Sequence, residues 1–185
     1  NSPKNKTDQF SIKEPTTVYG ISKLAGERWC EYYNIRYGTD IRSIRFPGII
    51  SSSTLPGGGT TDYAPEMLHA AATNKNYTCF VNQNTKLPFM MMDDAINAII
   101  KLMQSNKTNL TQMIYNISAF SVSALEFKNA NINFKINNKK QLMVDSWPED
   151  IDYSSAKNDW NFSPKYNFEK SFFNYLIPSV RRKYE

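Results

Sequence analysis

Residues 14–37, EPTTVYGISKLAGERWCEYYNIRY, constrain this chain more than any other stretch. Pro15 followed by Thr16 and Thr17 is a helix start: the hydroxyls cap free backbone N–H groups and the proline fixes the entry. Gly38 closes the helix, where a left-handed cap is cheap. Inside it, Tyr19 and Lys23 stand four residues apart, so their side chains leave one face about one turn apart. An ammonium beside a phenol favours the phenolate and makes the oxygen a proton acceptor. The helix runs into residues 40–46, DIRSIRF, which alternate like a strand, and then into Pro47-Gly48. Helix, strand and a turn at the strand's C-terminal end form an α/β unit, and ligands bind at such ends.

Alone, Tyr-x-x-x-Lys is weak, because many amphipathic helices carry it by chance. The surrounding helix, strand and turn give it meaning. A chain of 185 residues is long enough for one domain with a real core. The net charge of +5 is modest and no Lys/Arg run resembles a nucleic-acid patch, so no nucleic-acid partner is expected. Arg181-Arg182-Lys183 reads as a solvated tail. No apolar run approaches bilayer length, so no membrane partner is expected either. Cys30 and Cys79 lack metal-ligand spacing and His69 is the one histidine, which argues against a metal site. Reduced thiols fit an intracellular protein. The chain opens without Met in a polar stretch that reads as a surface loop, so the expectation is a piece of a longer protein.

Residues 47–62 read as one long polar loop, in which Gly57, Gly58 and Gly59 permit close approach of the backbone to a ligand. Asp62 is expected to cap a helix through Asn74, with Tyr63, Met67, Ala70 and Ala71 buried. His69 on that helix reads as structural. Residues 77–81 read as a strand and 87–92 as an apolar run, with the methionines at 90–92 as core filler. Asp93 is expected to cap a helix, DDAINAIIKLMQS, with Ala95, Ile96, Ile99, Ile100 and Met103 on its apolar side. A strand at 113–117 follows, then a short helix, SALEFKNA, capped by Ser121 or Ser123, and a strand at 133–137. Trp147 precedes Pro148 and is held extended, either packing in the core or closing over a ligand. Helices at 154–160 and 168–176 finish the chain.

Several words in one order carry a family resemblance. They are Tyr19-Gly-Ile-Ser-Lys23, Arg45-Phe-Pro-Gly-Ile-Ile-Ser51, Pro56-Gly-Gly-Gly-Thr-Thr-Asp-Tyr63, Leu87-Pro88 with Asp93-Asp94, Tyr115-Asn-Ile-Ser118, Asp145-Ser-Trp-Pro148 and Lys157-Asn-Asp-Trp160. Together they resemble the NAD-dependent L-threonine 3-dehydrogenases of the extended short-chain dehydrogenase/reductase type, over nearly the whole chain. The resemblance implies an α/β fold, the C-terminal part of a Rossmann-type domain with a smaller α/β substrate-binding lobe. Residues 1–50 and 112–120 would close the Rossmann-type domain, and 51–111 and 121–185 would form the lobe.

The implied reaction is oxidation of L-threonine by NAD to 2-amino-3-oxobutyrate, on the route from threonine to glycine. Tyr19 would be the general base and Lys23 would assist it and hold the nicotinamide ribose. Phe46, Pro47, Gly48 and Ile49 would lie beside the nicotinamide. Gly59, Thr60 and Thr61 would hold the zwitterionic substrate, with Tyr19, and Trp147 would cover it. The family implies a homodimer, mitochondrial in a eukaryote and cytoplasmic in a bacterium. A nucleotide-sugar epimerase or dehydratase is the enzymatic alternative, and a non-catalytic remnant is the other. Two departures stand out. No Gly-x-x-Gly-x-x-Gly turn for the pyrophosphate occurs here, and the family's Ser/Thr partner of the tyrosine would lie before residue 1. Phe89–Met92 also places methionines where the family has an aromatic. The 185-residue chain alone is therefore expected neither to bind NAD tightly nor to turn over. Calorimetry on it should show no tight saturable binding, and tight binding would contradict that expectation.

Overall fold

A computed structural model describes residues 3–127 and 132–185. Helix α1 spans Val18–Tyr37. The Thr17 hydroxyl caps it by accepting from the Gly20 N–H at 3.1 Å, and Gly38 ends it at φ 66° with its N–H on the Asn34 carbonyl. Both ends follow the capping rules that the sequence displays. Its flanks differ from an ordinary surface helix: no residue of α1 is fully buried, and Val18, Tyr19, Trp29, Ile35 and Tyr37 are exposed.

Strand β1, Ser43–Arg45, follows, and β2, Gly48–Ile50, comes directly after Pro47. The long loop expected from residue 47 therefore begins only after Ile50. Its first residues pair in parallel with the later strand β4, Lys86–Met91. Pro47 has no N–H to give, so it interrupts the extended run without ending it. Gly48 is required here by space: a Cβ would stand 2.5 Å from the ring of Phe89, opposite it in register.

Helix α2 spans Tyr63–Ala72, with Tyr63, Met67, Ala70 and Ala71 buried as the pattern predicts. Asp62 does not cap it. Its backbone is helical, not extended, and its carboxylate turns back to accept the N–H groups of Gly57 and Gly59 at 2.7 and 2.8 Å. His69 is bonded to the Tyr184 hydroxyl at 2.9 Å, and burial first, then Lys183, holds its imidazole below the usual range. Its setting is structural. Strand β3, Tyr77–Cys79, pairs in parallel with β7, Ile132–Phe134.

β4 carries Met90 and Met91 into the interior, where they act as filler. Helix α3, Met92–Gln104, begins at once. Its buried face is Asp94, Ala95, Ala98 and Leu102, while Ile96, Ile99, Ile100 and Met103 are exposed. The expected isoleucine face is thus wrong, apart from Ala95. Small alanines let the helix approach the layer of Met90, Tyr115, Ile117 and Trp160. Asp94 fixes that rotation by accepting the N–H groups of Lys165 and Tyr166 at 2.9 and 3.2 Å. Asp93 makes no cap either, for Met91 holds the N-cap position.

Strand β5, Ile114–Asn116, pairs in parallel with β1. Strand β6, Phe120–Ser123, runs antiparallel to β4. Only a 3₁₀ turn, Ala124–Phe127, stands where a short helix is expected, and Ser123 bonds Glu126 at its start. The rest of that expected helix lies outside the described residues. Helices α4, Asn138–Asp145, and α5, Ser154–Trp160, follow. The last helical stretch divides into α6, Phe168–Ser171, a π turn, Phe172–Leu176, and α7, Ile177–Arg181. One core gathers around Tyr63, Phe89, Phe127, Phe172 and Leu176, and a second around Tyr115, Ile117, Trp160 and Phe162.

In the second core one carboxylate oxygen of Asp159 accepts from the Thr111 N–H, the Thr111 hydroxyl and the Tyr115 hydroxyl, at 2.8, 2.6 and 2.6 Å. Burial pushes Tyr115 up to about 12, aided by its bond to Asp159. For Asp159 burial pulls upward, yet the hydrogen bonds from Thr111 and Tyr115 outweigh it and hold the carboxyl below its ordinary range. A depressed folded value stabilises above the unfolded value and is lost as pH falls through the folded one. The stability gap between wild type and Asp159→Asn should therefore be largest near neutrality and close as pH drops below about 4, read by denaturant midpoints. Gly48→Ala should destabilise by about 1–3 kcal/mol in the same measurement, because Phe89 has no free space to yield into.

Candidate active site

The expected site residues fall into two groups. Tyr19 and Lys23 lie on the first turns of α1, and the Lys23 ammonium stands 5.2 Å from the centre of the Tyr19 ring. Tyr19 is 73% exposed, so its phenol is open to a ligand. Phe46 and Ile49 present exposed side chains at the junction of β1 and β2, where Pro47 and Gly48 are half-buried. An exposed apolar edge of this kind is chemically suited to a planar ring, and Tyr19 and Lys23 on α1 offer a hydroxyl and an ammonium.

The second group is the glycine loop and its seat. Asp62 gathers the Gly57 and Gly59 N–H groups. Thr60 donates its hydroxyl to the Met143 sulfur at 3.2 Å, and Lys140 reaches the Gly58 carbonyl at 3.4 Å. Met143 and Lys140 both belong to α4, and Trp147 follows its end, with its N–H on the Val144 carbonyl. So Gly58 and Thr60 of the loop and the segment bearing Trp147 are joined through α4. Trp147 is half-buried against the first core. It therefore has one foot in the packing and leaves part of its ring exposed.

A pyrophosphate does not fit the three glycines. Two of their N–H groups already serve a carboxylate, whose charge repels a second anion. Among the described residues no hydrogen bond, ion pair or ring contact runs from Tyr19 or Lys23 to the glycine loop or Trp147. An open cavity of about 430 Å³, lined by Lys13, Arg28, Arg42, Arg45 and Lys107 among others, contains none of the expected site residues. It runs along α1 and β1, apart from the phenol.

Asp62, Lys140 and Met143 were not legible as parts of a site. Asp62 reads as a helix cap by its place before a helix, and nothing in sequence spacing joins residues 58–60 to α4. Arg45 and Glu27 were missed too. Arg45 donates from Nε and Nη2, one edge of its guanidinium, to the two carboxylate oxygens of Glu27 at 2.6 and 2.8 Å. A charged residue four positions beyond Lys23, and another ending a strand just before Pro47, were the available signals.

Comparison with known proteins places the chain in a family. Residues 1–118 match the model of the NAD dependent epimerase/dehydratase family. An uncharacterized epimerase/dehydratase of Staphylococcus haemolyticus is 42% identical over 176 residues, covering 90% of this chain and 55% of that protein. A Staphylococcus aureus counterpart is 41% identical, covering 99% of this chain and 60% of its own length. The chain thus spans about 55–60% of the length of these curated relatives. Among solved structures, a monomeric L-threonine 3-dehydrogenase from a metagenome superposes with TM-score 0.94 at 41% identity, over 100% of this chain and 62% of that one. The holo form of L-threonine dehydrogenase from Cupriavidus necator gives 0.89 at 38%, over 100% and 61%. The enzyme of Clostridium difficile gives 0.93 at 37%, over 99% and 60%. A UDP-glucose 4-epimerase from Thermotoga maritima shares the fold, with TM-score 0.84 at 18% identity. The mixed α/β architecture with its parallel strand pairs, the Tyr19–Lys23 helix and the family match lead to one conclusion: this chain belongs to the NAD dependent epimerase/dehydratase family.

Proposed function

We propose that this chain is the catalytic-helix and substrate-lobe portion of an NAD-dependent L-threonine 3-dehydrogenase. Residues 1–50 and 112–120 form the end of the Rossmann-type domain, and 51–111 and 121–185 the lobe. The observation that carries the reading is the glycine loop seated on α4 beside the segment of Trp147. A loop tied down in this way suits a small zwitterion better than a nucleotide sugar. The solved L-threonine dehydrogenases, at 37–41% identity, support the same choice.

Bound at Phe46–Ile49, NAD supplies the hydride acceptor. The Tyr19 oxygen takes the proton of the substrate's β-hydroxyl as the β-carbon gives up its hydride, and a ketone forms there. Lys23, whose ammonium stands 5.2 Å from the centre of the Tyr19 ring, would hold the nicotinamide ribose. The hydroxyls and N–H groups of Thr60 and Thr61 hold the zwitterionic substrate beside Gly59, whose own N–H stays on the Asp62 carboxylate. Trp147 excludes water above it, which strengthens the polar contacts beneath. The dimeric state is open to both outcomes in this family, since one similar enzyme is described as monomeric.

The test is NADH formation from L-threonine by the full-length protein that contains this chain. Turnover is expected, with Tyr19→Phe lowering kcat by about 100-fold or more, the range for losing a general base. Inactivity with L-threonine together with conversion of a UDP-sugar would overturn the reading in favour of an epimerase.

A further inference from the structure

α1 is the element that carries the proposed catalytic pair, and it is held in an unusual way. It buries no residue completely. Among the described residues, one side-chain tether ties it to the rest of the molecule: the Glu27 carboxylate accepts from the Nε and Nη2 atoms of Arg45 at 2.6 and 2.8 Å. The other ion pair on the helix, Arg28 with Glu31, is internal to it. Arg45 and Glu27 are largely withdrawn from solvent, with side chains 22% and 16% exposed.

The two ends of this tether are placed where catalysis would need them. Glu27 lies one turn beyond Lys23 and two beyond Tyr19, so the three form a stripe along one side of α1. Arg45 is the last residue of β1, immediately before Phe46–Ile49. Arg45 itself is fixed on three further sides. Its Nη1 donates to the Gln9 carbonyl at 3.2 Å and to the Asn116 side chain at 3.1 Å, and its own carbonyl accepts from the Ile117 N–H. Gln9, in turn, clamps β5 through the Ile114 carbonyl and the Asn116 N–H. The guanidinium is therefore rigid, and a two-pronged bond to a rigid fork sets both the height and the rotation of its partner.

We propose that the Glu27–Arg45 pair is the positioning device of the site: it sets Tyr19 and Lys23 against the strand end at Phe46–Ile49. The proposal rests on the Tyr–Lys reading of the proposed function and goes beyond it by assigning two residues that touch neither substrate nor cofactor. Positioning of this kind is worth a large factor in rate, because a displacement of about 1 Å can cost on the order of 100-fold.

Two variants of the full-length protein test it. Glu27→Gln keeps the shape and one acceptor but removes the charge. Arg45→Lys keeps the charge but removes the fork. In both, kcat for L-threonine oxidation should fall about tenfold or more, while KM for threonine and for NAD stays within about twofold. A second readout needs no substrate: the ring ζ-carbon NMR signal of Tyr19, identified by its loss in Tyr19→Phe, should shift in both variants. A lowered melting temperature with kcat and the Tyr19 signal unchanged would overturn the proposal and leave the pair as a structural brace. If Glu27→Gln fails to fold, Arg45→Lys decides alone by the same criteria. If the wild-type protein does not oxidise L-threonine, the functional reading fails, and the Tyr19 signal still decides whether the tether positions the phenol.

Discussion

The strand Lys86–Met91 is the piece on which the described structure depends. Five of its six residues are buried, and it is paired along both edges, in parallel with β2 and antiparallel with β6. Burial on both faces explains its unbroken apolar run, since a strand covered on both sides has no polar face to alternate with. Its neighbours inherit their places from it. Phe89 packs over Gly48 and so holds the Phe46–Ile49 segment close. α3 starts from its last residue, and its Met90 enters the second core while Phe89 and Met91 enter the first.

Around that centre the two halves of the proposed site are built by different means. The glycine loop is closed on itself by the Asp62 carboxylate and fastened to α4 by the Thr60 hydroxyl and by Lys140, both across some eighty residues of chain. Among the described residues, one ion pair fastens α1 to the rest of the molecule, and the helix presents apolar flanks on Val18, Trp29 and Ile35. α3 likewise shows an isoleucine face.

What the sequence made legible was whatever depends on neighbours in the chain. The helix of Tyr19 and Lys23 starts at Thr17 and stops at Gly38 because the cap residues are local chemistry. The short parallel strands and the two-methionine core segment follow from apolar runs. What stayed hidden depends on distant partners. Asp62 sits where a cap belongs, but two glycine N–H groups compete for its carboxylate and win. The apolar side of α3 reads as its isoleucines, yet Asp94 bonds the backbone at Lys165 and Tyr166 and turns the alanine side inward. β2 reads as loop because Pro47 and Gly48 signal a turn, while its pairing partner lies some forty residues on. Of the proposed site, Tyr19, Lys23 and the glycine loop stand in local sequence words, whereas the tethers that hold them join residues distant in the chain.

On the proposed function, hydride leaves the β-carbon of a small hydroxy amino acid held by Tyr19 and the glycine loop. The direct measurement is to give the full-length protein L-threonine deuterated at the β-carbon, with NAD, and to follow the label. The account predicts deuterium in the reduced nicotinamide and none retained at the β-carbon of the product. Reduced nicotinamide without label, or label that never leaves threonine, would contradict it.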